Sequence, residues 1–153
     1  MSEPSPTSSP ALRVLVVNDD RAAAAAVVAA LADAGLPAVI ATDCDAALRA
    51  VHAVTVRLVV AELYVRCREG ECVIAALRKD RHRLPQLRVL VHTRYTAPSD
   101  LAYALDNGAD VIVPSTAPWE TLLGEVRRLD VLRERLTAGT APAPRASPGR
   151  GLA

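Results

Sequence analysis

Short unbroken apolar runs alternate along this chain with longer stretches in which apolar residues recur every three or four positions. The runs are "LRVLVV" (residues 12–17), "AVIA" (38–41), "RLVVAE" (57–62), "LRVLVH" (87–92) and "DVIV" (110–113). They are rich in β-branched residues and uniformly apolar rather than alternating, so they predict strands covered on both faces, as in a parallel sheet. The stretches between them predict helices: Arg21 to Ala34, stopped by Gly35; about Asp43 to Ala53; and about Glu71 to Asp80. A fourth is N-capped by Ser99 and stops at Asn107-Gly108, and a fifth begins near Pro118 and runs through "WETLLGEVRRLDVLRERL". Strand–helix alternation of this kind, with right-handed crossovers, predicts one α/β unit: a doubly wound parallel five-stranded sheet with five helices.

The ends read differently. Residues 1–10, "MSEPSPTSSP", and 137–153, "TAGTAPAPRASPGRGLA", are too poor in apolar residues to offset the entropy of ordering them. The expected layout is a disordered arm (1–10), a domain (11–136) and a disordered tail (137–153). Aromatic residues are 3% of the chain and Phe is absent, so the core must be Val, Leu, Ile and Ala. A net charge of +1 gives no footprint for nucleic acid or an acidic membrane surface. Three cysteines, an odd number at no framework spacing, predict free thiols in a reducing compartment. Cys67 and Cys72 as a redox pair or metal half-site lack the His or Cys partners that would complete a zinc set. No leader signature or spanning apolar run is visible, so the expected location is the cytoplasm.

In open α/β sheets the functional crevice lies at the carboxyl ends of the strands. Those ends carry Asn18, Asp19 and Asp20, then Glu62, then Thr93, then Ser115. Acidic groups converging there suit Mg²⁺, which takes oxygen ligands and keeps several waters.

"VLVVNDDRAAAAAVVAALADAG", "LVVAELYVRCREG", "VLVHT" and "NGADVIVPS", in this order and spacing, resemble the receiver domain of two-component response regulators over residues 12–129. The resemblance implies a flavodoxin-like sheet of order 2-1-3-4-5. It puts Glu62 at the phosphoacceptor position, Thr93 at the switch threonine, Ile112 at the switch aromatic and Ser115 at the lysine. Asn18 and Asp19 take the place of the acidic pair, Arg94 follows the switch threonine, and Arg66 stands where a loop proline is usual. Of these positions Asp19 and Thr93 keep the family's residues. Asp20 is then a helix-start carboxylate. A weak Mg²⁺ site built from Asp19, Glu62 and the backbone carbonyl of Tyr64 stays open beside a solvated relic, and no cofactor is required.

The lysine's absence and the longer Glu62 carboxylate weigh against phosphotransfer, which depends on positioning and charge compensation. The expectation is an atypical receiver: a phosphorylation-independent signalling and protein-interaction module, not an enzyme. A functional phosphoacceptor in a phosphorelay is the alternative. Flavin and cobalamin binding lack their sequence signatures. Arg94 or Arg66 is read either as solvated or as swinging in to neutralise Glu62 and Asp19, and His92 as a satisfied core histidine. The partner is expected to be a protein, a sensor kinase or downstream regulator, or a second copy of the chain. Tyr103, Trp119, Leu129 and Leu132 are the expected contact residues, with packing of the leucines back on the first helix as the alternative.

Overall fold

The computed structural model describes residues 13–53, 56–79 and 87–139, with side chains as far as residue 130. Ten elements alternate: β1 (Val14–Val17), α1 (Arg21–Asp33), β2 (Ala38–Ala41), α2 (Cys44–Ala53), β3 (Leu58–Ala61), α3 (Val73–Arg78), β4 (Arg88–Thr93), α4 (Pro98–Asp106), β5 (Val111–Pro114) and α5 (Trp119–Gly139). All strands pair in parallel in the order β2-β1-β3-β4-β5, as expected, with β3 at the centre.

Uniformly apolar strands need two covers, and the period of two along each strand sorts them. Leu15, Val17, Val59, Ala61, Val89 and Val91 face α2, α3 and α4. Val14, Val16, Leu58, Val60 and Leu90 face the other way, where Ala24, Val27 and Leu31 of α1 and Leu122, Val126 and Leu129 of α5 close over them.

Leu129 is therefore a core residue, only 4% exposed, and not the contact residue expected from the leucine spacing. It completes a stripe with Leu122 and Val126 at helical spacing, and the sheet supplies the surface that buries it. Leu132 falls where side chains are not described, and α5 itself runs to Gly139, past the expected domain edge at 136. The expected disordered arm lies outside the described residues, as does the tail from residue 140.

Two helix starts differ from expectation for local reasons. α3 begins at Val73 because residues 66–72 form a small hairpin instead: Arg66 bridges Cys72, and the Cys67 amide donates to the Glu71 carbonyl at 2.8 Å. α4 begins at Pro98, one residue before Ser99, with Ala97 at the N-cap. Proline presets the helical φ and brings no amide to satisfy, so the helix starts on it. The cap is closed by Asp100, whose carboxylate accepts from the Ala97 amide at 3.2 Å.

At the amino ends of β4 and β5 the Gly108-Ala109-Asp110 segment is held by Arg78. Its guanidinium donates to the carbonyls of Gly108 (2.9 and 2.7 Å) and Leu87 (2.7 Å) and to Asp110 (2.7 Å). Asp110 also accepts from the Val89 amide at 2.8 Å. Gly108 has φ +110°, and a Cβ there would lie 2.7 Å from Arg78 Cγ, so position and neighbour both demand glycine. No described helix is long and apolar enough to cross a membrane.

Candidate functional site

The parallel register brings the strand ends together. Glu62 donates its amide to the Val17 carbonyl at 2.9 Å, which sets it beside the Asn18-Asp19-Asp20 turn. The resulting crevice, about 400 Å³, is lined by these four residues, by Ser115, and by Tyr64, His92, Arg94, Tyr95 and Trp119. Ala23, Ala26 and Val27 of α1 form one wall.

Two of its carboxylates, Glu62 and Asp20, and its amide are turned to local duties. Glu62 Oε1 accepts from the Leu63 amide at 2.7 Å, so the longer side chain folds back on its own backbone. Asn18 Oδ1 accepts from the Asp20 amide at 2.9 Å, and Asp20 Oδ1 accepts from the Ala23 amide at 3.1 Å. Asp20 is thus the N-cap of α1, as expected for a helix-start carboxylate. Asp19 is exposed on the crevice rim.

The arginines divide. Arg66 is exposed and does not line the crevice, whereas Arg94 does. Arg94 sits over the Tyr95 ring, 5.1 Å from its centroid, and donates to the Tyr95 hydroxyl at 3.0 Å, with Glu62 and Asp20 as weaker electrostatic neighbours. Arg94 therefore engages Tyr95 rather than forming an ion pair with Glu62 or Asp19.

Neither a protein-family model nor a curated protein matches the sequence. Solved structures do match its shape. A CheY-like response regulator receiver domain from Methanospirillum hungatei superposes with a TM-score of 0.71 at 20% identity, over 83% of this chain and 99% of that one. Chemotaxis protein CheY4 of Vibrio cholerae gives 0.70 at 22% identity, over 78% and 99%. NtrX of Brucella abortus, solved with ATP, gives 0.74 at 22% identity, over 84% of this chain and 29% of that one. The chain has the receiver-domain fold.

On this receiver fold, Thr93 ends β4 and is fully buried, beneath the crevice rather than on its surface as expected. Its Oγ1 accepts from the Tyr95 amide at 3.0 Å and shapes the loop that follows. Ser115 lines the crevice, while Ile112 is half-buried against the core beside Val91. Asn18 Oδ1 and Glu62 Oε1 are engaged with backbone amides, and among the described residues no group of three or more His, Cys, Asp or Glu is placed to hold a metal.

Sequence reasoning missed how the aromatic residues gather. The chain has three Tyr, one Trp and no Phe, and all four lie at this end of the sheet. Tyr64 packs edge-on to Tyr95 at 5.0 Å and stacks on Tyr103 at 5.6 Å. Its hydroxyl donates to Asp100, which accepts more readily than a phenolate can form beside it, so the phenol pKa rises to about 12. His92 is buried but borders the crevice, and burial pushes its imidazole pKa below the ordinary value. It stacks on Trp119, which is 41% exposed. Four aromatics in a chain that builds its core without them was the available signal.

The cysteine expectation is corrected. Cys44, at the start of α2, and Cys67, in the hairpin after β3, form a disulfide, while Cys72 is free and buried. One segment follows β2 and the other β3, and the fold sets their Cα atoms 5.1 Å apart across 23 residues of sequence.

Proposed function

We propose that this chain is an atypical receiver that acts as a protein-interaction module in signalling, without depending on phosphorylation. The observation that carries this reading is Glu62, folded back onto the Leu63 amide in a crevice whose other rim offers Ser115 instead of an ammonium. Phosphoryl transfer relies on groups that meet the phosphoryl oxygens' charge. Loss of one preorganised donor typically costs on the order of 10²–10³ in rate. A response regulator of Burkholderia pseudomallei with this fold carries a phosphorylated aspartic acid and a calcium ion. Here the corresponding chemistry would have to start from a glutamate in a crevice that no lysine lines.

Output passes through the side of α4, β5 and α5, where Tyr103, Leu105 and Trp119 are exposed. Aromatic anchors of this kind dominate protein contacts. The partner is a protein, and Mg²⁺ is not required for its binding. The competing reading, a working phosphoacceptor, draws on Asp19 and Glu62 still sharing one crevice. Incubation with acetyl phosphate and Mg²⁺ should leave the intact mass unchanged. A stable gain of one phosphoryl group that disappears in Glu62→Gln would establish the competing reading instead.

A further inference from the structure

We propose that Cys44 and Cys67 are a reversible redox site that locks and releases the hairpin of residues 66–72. Three features of the fold point there. The bond joins two segments at the functional end of the sheet: Cys44 is buried in the core and Cys67 packs against it from the hairpin, while helices already close the core on both faces. A domain of this size buries enough apolar surface without a staple. Cys67 is half-buried in an exposed hairpin, within reach of a small thiol reagent, while Cys44 is 3% exposed beneath it.

Without the bond the hairpin tip has little to hold it. Arg68 pairs with Asp45 of α2 at 3.5 Å, but both side chains are largely exposed, and such pairs contribute little. Inside the hairpin, the Gly70 amide donates to the Cys67 carbonyl at 2.9 Å and the Arg66–Cys72 bridge closes its base. The base adjoins the proposed contact face, because Cys72 and Arg66 are both electrostatic neighbours of Tyr103. Oxidation therefore orders a segment that adjoins Tyr103, and reduction frees it.

The chemistry balances with a disulfide oxidant such as glutathione disulfide. The Cys67 thiolate attacks one of its sulfurs, releasing one glutathione thiolate and leaving a mixed disulfide. The Cys44 thiolate, at the positive end of the α2 dipole, then attacks the Cys67 sulfur and releases the second. Two protein thiols give up two electrons and two protons, and glutathione disulfide becomes two thiols. Reduced glutathione reverses the sequence.

The switch acts on the face proposed for partner contact. Its test needs neither partner nor phosphodonor, so either proposal can fail alone. The full chain is equilibrated in glutathione buffers without denaturant, then denatured and alkylated for intact mass. The expected result is interconversion between one alkylated cysteine, Cys72, and three. Limited trypsin digestion should then cut after Arg66 and Arg68 at least about tenfold faster in the reduced form, since cleavage follows local opening. Cys67→Ser should behave as reduced in every buffer, and Cys72→Ser should keep the response. Should Cys44→Ser fail to fold, Cys67→Ser decides. A bond that yields only in denaturant, equal cleavage in both states, or a response lost in Cys72→Ser would overturn the proposal.

Discussion

The imidazole of His92 lies against the indole of Trp119, their centroids 5.8 Å apart and their planes 28° from parallel. Burial pushes the His92 pKa below its ordinary 6.5, so the folded protein holds this proton less tightly than the unfolded chain. Between the two values the unfolded state binds more protons, and stability rises with pH. The contribution is complete above about 6.5 and is lost as pH falls through the folded value. The difference in thermal midpoint between wild type and His92→Gln should therefore change below pH 6.5 and stay flat above it. Trp119 is the sole tryptophan, so its emission should report the same transition in wild type alone. A difference curve flat from pH 7.5 to 5 would refute the burial argument.

The crevice geometry makes a second prediction about repair. Glu62→Asp shortens the carboxylate that now reaches the Leu63 amide, and Ser115→Lys supplies a cation on the facing rim. Neither change alone should produce labelling by acetyl phosphate, because each leaves one requirement unmet. The double variant should label partially and only with Mg²⁺, as read by intact mass. Labelling of either single variant to the same extent would mean the two positions do not act together.

Gly108 offers a test of the far end of the sheet. Gly108→Ala must hold a side chain at φ +110° and push Arg78 aside, which should cost about 1–3 kcal/mol in urea denaturation. Gly35→Ala, at φ +78° with open space around it, should cost only the backbone part, about 1–2 kcal/mol. In Arg78→Ala the clash is gone, so the added cost of Gly108→Ala should shrink toward that of Gly35→Ala. An unchanged cost would show that Arg78 moves freely.

Leu129 and Trp119 should separate stability from contact. Leu129→Ala opens a cavity in the core shared by α1, α5 and the sheet, and should destabilise by roughly 2–5 kcal/mol. Trp119→Ala and Tyr103→Ala should cost less stability but weaken self-association or partner capture, with the circular dichroism spectrum unchanged. Light scattering and pull-down read the second effect. If both surface variants bind as wild type does, the contact face lies elsewhere on the domain.

Much of this architecture was legible in the residues. Runs such as "LVVA" cannot be satisfied with one face in water, so they demanded a sheet covered twice, and the helices between them supplied the covers. Asn18, Asp19, Glu62 and Ser115 follow strands, and parallel strands deliver whatever follows them to one end. Asp20 as a cap was equally local, a matter of three residues.

What only the tertiary structure decided depends on distances between segments remote in sequence. Thr93 ends β4 and Glu62 follows β3, yet one is sealed beneath the crevice and the other folds back on the Leu63 amide, outcomes set by the packing of neighbouring loops. Leu129 has the spacing of a contact stripe, but the sheet lies under it and takes it into the core. Cys44 and Cys67 carry no mark of their pairing, because only the packing of α2 against β1 and α3 brings their backbones within 5.1 Å. Periodicity reports which face of an element is apolar; it holds no information about which other element arrives to meet it.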